Sequence, residues 1–86
     1  MVNIFYTPSF IREYKKLPKE LQEEVREKIG IFEKDPKSSM LKTHKLKGKL
    51  KKYWSFRVNY RYRVIFEYDS KKDVALLDVG DHDVYR

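Results

Sequence analysis

Three observations predict an α+β fold, with an N-terminal strand and an antiparallel helix hairpin ahead of a three- to four-stranded antiparallel sheet. Apolar residues recur at helical spacing between Pro8 and Asp35, a proline divides that stretch in two, and beyond Lys52 the apolar period falls to two. The chain is 86 residues long, so one small hydrophobic core is expected and residues 1–86 form a single domain.

Asn3–Tyr6 is short and rich in β-branched and aromatic residues, as an opening strand should be. Thr7-Pro8 then places a side-chain acceptor before a proline, the arrangement expected at a helix N-cap and first position, and Phe10, Ile11, Tyr14 and Leu17 follow at helical spacing. Pro18 ends that helix and can begin the next. Leu21, Val25, Ile29 and Phe32 form a second apolar stripe, which stops at Asp35-Pro36. So short a connection makes the two helices antiparallel neighbours. Gly30 weakens the second helix, and the sequence offers no reason for it.

Lys37–Lys52 is polar and reads as mostly irregular. Trp54, Phe56 and Val58 then alternate with Tyr53, Ser55 and Arg57, and Tyr62, Val64 and Phe66 alternate with Arg61, Arg63 and Ile65. A three-residue loop, Asn59 to Arg61, would pair Val58 with Tyr62, Phe56 with Val64 and Trp54 with Phe66, which places Trp54 in the core. The same register sets Arg57 beside Arg63 on the opposite face, where like charges repel unless an anion lies over them. Asp69–Asp73 is a turn, Val74–Leu77 is apolar on both faces like a central strand, and Gly80 opens a closing turn that carries His82.

The absence of cysteine excludes a disulfide framework, a thiolate metal site and a thiol nucleophile, and points to a reducing compartment. No apolar run approaches membrane-spanning length, and the start of the chain lacks the pattern of a signal peptide, so the expected location is cytoplasmic, without a membrane partner. The net charge of +7 is unevenly placed. Residues 41–63 carry nine Lys or Arg (Lys42, Lys45, Lys47, Lys49, Lys51, Lys52, Arg57, Arg61, Arg63) and no carboxylate. Such a block projects a positive field toward a polyanion, and the interleaved arginines and aromatics favour nucleic acid over a merely solvated loop.

Three segments in this order resemble the RelE/ParE superfamily of type II toxins, specifically its RelE-like mRNA interferases of the RelE/YafQ-like branch. They are His44-x-Leu46-x-Gly48, Tyr53–Val58 running into Tyr62–Phe66, and Leu77–Tyr85. The resemblance covers nearly the whole chain. It implies a RelE-like fold and a cytoplasmic toxin that cleaves messenger RNA in the ribosomal A site and is held inactive by a cognate antitoxin; ribosome, mRNA and antitoxin are thus the expected partners.

Cleaving RNA without a metal or other cofactor requires removing the 2′-OH proton, stabilising charge on the phosphate, and protonating the leaving 5′-oxygen. Arg57 and Arg63 suit the phosphate. His44 and His82 are the only imidazoles, and their ordinary pKa near about 6.5 suits either proton transfer. Tyr85 matches an aromatic that the family uses near the reacting nucleotide, where its phenol could meet phosphate or its ring a base. The candidate catalytic set is therefore Arg57, Arg63, His82, Tyr85 and His44, with the six lysines and Arg61 as the RNA- and ribosome-binding set and no metal ligands. Asp81 and Asp83 flank His82 and could raise its pKa, but two carboxylates and one imidazole make a poor metal signature. Two other functions share this scaffold or charge: a ParE-like toxin that poisons gyrase without nuclease chemistry, and a non-catalytic basic RNA-binding module.

Overall fold

A computed structural model describes residues 1–48 and 52–81. Strand β1 (Asn3–Tyr6) leads into helices α1 (Pro8–Lys15) and α2 (Lys19–Lys34), and a 3-10 turn at Ser39–Leu41 precedes β2 (His44–Lys45), β3 (Trp54–Arg57), β4 (Tyr62–Tyr68) and β5 (Asp73–Asp81). The five strands form one sheet in the order β1-β5-β4-β3-β2, antiparallel except where β1 runs parallel to β5.

The helix hairpin forms for the local reasons the sequence holds. Thr7 caps α1 by accepting from the Phe10 amide at 3.2 Å, and Pro8 occupies the first turn. Gln22 of α2 donates to the Tyr14 and Leu17 carbonyls, both at 3.1 Å, closing the end of α1. Leu21, Val25, Ile29 and Phe32 are all buried against the sheet. The Phe32 ring stacks on Phe56 and meets Phe66 edge-on, each at 4.8 Å between centroids, so one side chain ties α2 to both β3 and β4.

The β3–β4 hairpin has the expected register: Trp54 opposes Phe66, Phe56 opposes Val64, and Arg57 opposes Arg63. Asn59 holds the turn, its side-chain oxygen accepting from the amides of Arg61 and Tyr62 at 2.8 Å each.

Among the described residues the stretch before Lys52 is mostly irregular, as expected, apart from the 3-10 turn and a two-residue edge strand in which His44 and Lys45 pair with Ser55 and Trp54. Two expectations need correction. Trp54 is only half-buried: it contacts the core through Phe66, and with Tyr68 it also lines two clefts. Gly80 opens no turn, since β5 continues to Asp81 and pairs Gly80 with Arg63. That extension depends on a β-bulge. Ile65 opposes Asp78 while Phe66 opposes Leu76, so Leu77 is the extra residue and the alternation of faces reverses there. Val74, Leu76 and Val79 therefore all reach the core, whereas Asp78 and Gly80 are delivered to the opposite face.

Candidate functional site

The sheet face turned away from the helices carries the candidate chemistry. Cα partners across an antiparallel ladder point to the same side. One row across the strands is therefore Arg57, Arg63 and Gly80, and the next is His44, Ser55, Ile65 and Asp78. The two arginines sit directly opposite one another, about 4.5–5.5 Å apart at Cα by the geometry of such pairs. Both are half-buried, and the Arg57 Nε and one terminal nitrogen of Arg63 are shielded from solvent with no hydrogen-bond partner among the described residues. Loss of solvent, and then the neighbouring Arg57 charge, push the Arg63 pKa below the usual guanidinium value. Two cations are thus held together with donors unused, an arrangement that an anion with several acceptor oxygens would relieve. Gly80 leaves the β5 side of this row without a side chain.

His44 lies on the same face, diagonal to Arg57. Its Nδ1 is 3.0 Å from the Lys42 carbonyl. A carbonyl only accepts, so Nδ1 carries a proton, and in the neutral tautomer this leaves the lone pair at Nε2, the form a general base requires. Lys42 supplies that carbonyl from a left-handed backbone conformation at φ 48°.

Arg61, expected to contact RNA, is ion-paired. Its Nε donates to an Asp81 carboxylate oxygen at 2.8 Å, so the basic segment is partly balanced by an acid that lies far away in sequence and is brought alongside by β5. Lys42, Lys45, Lys47 and Lys52 are exposed, with Lys45 over the Trp54 ring and Lys52 over Tyr53. Lys49, Lys51, His82 and Tyr85 lie outside the described residues, as does Asp83. Among the described residues no three acidic, His or Cys side chains gather as a metal site, and no helix is long and apolar enough to cross a membrane.

Sequence reasoning gave no site role to Ser55. It is fully buried between the His44 and Ile65 positions, and its hydroxyl has no partner among the described residues. Alternation places it on this face, but nothing in the sequence marks its hydroxyl as unsatisfied. A separate apolar cleft of about 650 Å³ lies between the helices, lined in part by Tyr6, Ile11, Tyr14 and Ile29. Gly30 borders it, and a Cβ there would meet nothing within 4 Å, so that glycine widens the cleft rather than permitting a close approach.

Comparison with solved structures finds the same fold in several toxins. The chain superposes on RelBE2, a toxin-antitoxin complex from Mycobacterium tuberculosis, with a TM-score of 0.78 at 23% identity, covering 93% of this chain and 96% of that one. It matches YafQ from E. coli with a TM-score of 0.78 at 17% identity, covering 98% and 97%. The YoeB-YefM complex from Staphylococcus aureus gives 0.73 at 22% identity, covering 95% and 98%. No curated protein matches the sequence significantly. The model of the HigB-like toxin family, described as the RelE-like toxin of the type II toxin-antitoxin system HigB, matches residues 5–82, and the chain belongs to that family.

Proposed function

We propose that this protein is a ribosome-dependent endoribonuclease that cleaves messenger RNA in the A site. The observation that carries the reading is the Arg57–Arg63 pair, two half-buried guanidinium groups with unused donors on one open sheet face. A scissile phosphate placed over them would receive forked hydrogen bonds and have its developing charge stabilised. The 2′-OH proton passes to a base, the 2′-oxygen forms its bond to phosphorus, and the bond to the 5′-oxygen breaks as that oxygen takes up a proton. The products are a 2′,3′-cyclic phosphate and a free 5′-OH. His44 suits the base through its outward Nε2, while His82 and Tyr85 keep the proton-donating and nucleotide-positioning roles that the sequence suggests.

The exposed lysines supply the long-range attraction to ribosomal RNA. A cognate antitoxin is the further partner: the solved RelBE2 and YoeB-YefM structures are toxin-antitoxin complexes, and a disordered acidic segment could fold over the basic face. The chemistry requires the cytoplasm, where ribosomes translate.

The deciding experiment incubates purified protein with messenger RNA, with and without programmed ribosomes, and maps the ends. Cleavage only with ribosomes, leaving cyclic phosphate, is the expected result. Intact message in both arms, together with inhibition of gyrase supercoiling, would instead support the protein-contact mechanism.

A further inference from the structure

On the other face of the sheet, Trp54 and Tyr68 border open space. Two adjoining clefts of about 390 and 660 Å³ share Lys37, Trp54 and Tyr68 as walls. Their remaining linings come from the segment after α2, which includes Ser38, Lys42 and Thr43, and from the β4–β5 turn, which includes Ser70 and Lys71. No carboxylate lines either cleft. Lys42 lines one cleft, Lys71 the other and Lys37 both, and among the described residues none of the three forms an ion pair, so lysines from two separate loops border the adjoining clefts without a carboxylate.

The aromatic wall is equally specific. Tyr68 stands edge-on to Trp54, with centroids 5.8 Å apart and planes at 88°, and remains 37% exposed. Lys45, the ladder partner of Trp54, holds its ammonium 5.9 Å from the Trp54 ring centre. A ring left partly open, bordered by lysines and hydroxyls, fits a ligand with a flat π-face and a phosphate at each end. We propose that this cleft binds single-stranded RNA, seating a base against Tyr68 and Trp54 while Lys37, Lys42 and Lys71 contact the flanking phosphates. Burial pushes the Tyr68 phenol pKa up, which keeps its O–H as a donor to the same strand. Because this site faces away from Arg57 and Arg63, the proposal stands apart from the nuclease reading.

Trp54 is the only tryptophan in the chain, so its fluorescence reports this cleft directly. The probe is a 2′-O-methyl hexauridylate, which lacks the nucleophile needed for cleavage. Titration into the full chain should quench Trp54 saturably. Tyr68→Leu should weaken binding on the order of tenfold, as loss of one stacking contact does, and the double variant K37A/K71A should weaken it and flatten its salt dependence. Circular dichroism checks that each variant is folded. The double variant R57Q/R63Q should still quench, which separates this site from the nuclease face. Absence of quenching, an unchanged affinity in folded Tyr68→Leu, or equal binding of an abasic strand would overturn the proposal. So would competition by poly-glutamate at concentrations below those needed for the RNA, which would identify an acidic protein as the occupant.

Discussion

Arg63 is charged where charge is disfavoured. Its pKa is lowered by loss of solvent and by Arg57, and for a base with a lowered folded-state pKa the penalty persists at every pH below that value. A guanidinium stays protonated throughout the accessible range, so this cost is constant between about pH 5 and 9. Arg63→Gln should therefore raise the thermal midpoint in anion-free buffer, while added inorganic phosphate should stabilise the parent more than the variant. A variant that melts lower in both buffers would mean that Arg63 serves packing rather than anion binding. The juxtaposition of Arg57 and Arg63 was legible from the alternation around Asn59 alone, because loop length sets register. The pairing of Arg61 with Asp81 was not, since twenty residues and a second strand separate them. Nor was the tautomer of His44, which depends on where the Lys42 carbonyl points.

At the scale of elements, the site depends on how α1 is fastened to β5. Thr7 and Ser9 donate their hydroxyl hydrogens to the carbonyls of Leu76 and Leu77, each at 2.7 Å, and so satisfy the backbone at the bulge. The bulge in turn sends Asp78 and Gly80 to the arginine face and Val79 to the core. Ser9→Ala should cost about 1 kcal/mol in urea unfolding, the usual net worth of such a bond. Hydrogen exchange should rise first at the β4–β5 ladder around Ile65; unchanged protection there would show that the bulge holds without α1. Both helices, their junction at Pro18 and the β3–β4 hairpin were readable from periodicity, because those signals are local. The bulge, the parallel pairing of β1 and the two-residue β2 were not, as each is created by contact with a strand distant in sequence.

Across the whole molecule, the sheet separates two cationic surfaces: one holds the arginine pair, and the other holds the lysine-rim cleft at Trp54. The charge block of residues 41–63 pointed toward a polyanion but did not reveal that its side chains divide between faces, which follows from His44 and Lys45 pointing opposite ways on β2. In the proposed mechanism the exposed lysines drive docking, and the half-buried arginines act on the phosphate. The most direct test is single-turnover cleavage by Arg63→Gln at saturating programmed ribosomes, with ribosome affinity measured in parallel. The cleavage rate should fall on the order of 100-fold or more, as for loss of a donor that stabilises transition-state charge, while affinity changes little. Cleavage at the parent rate by the folded, bound variant would contradict the assignment of the arginine pair to the scissile phosphate.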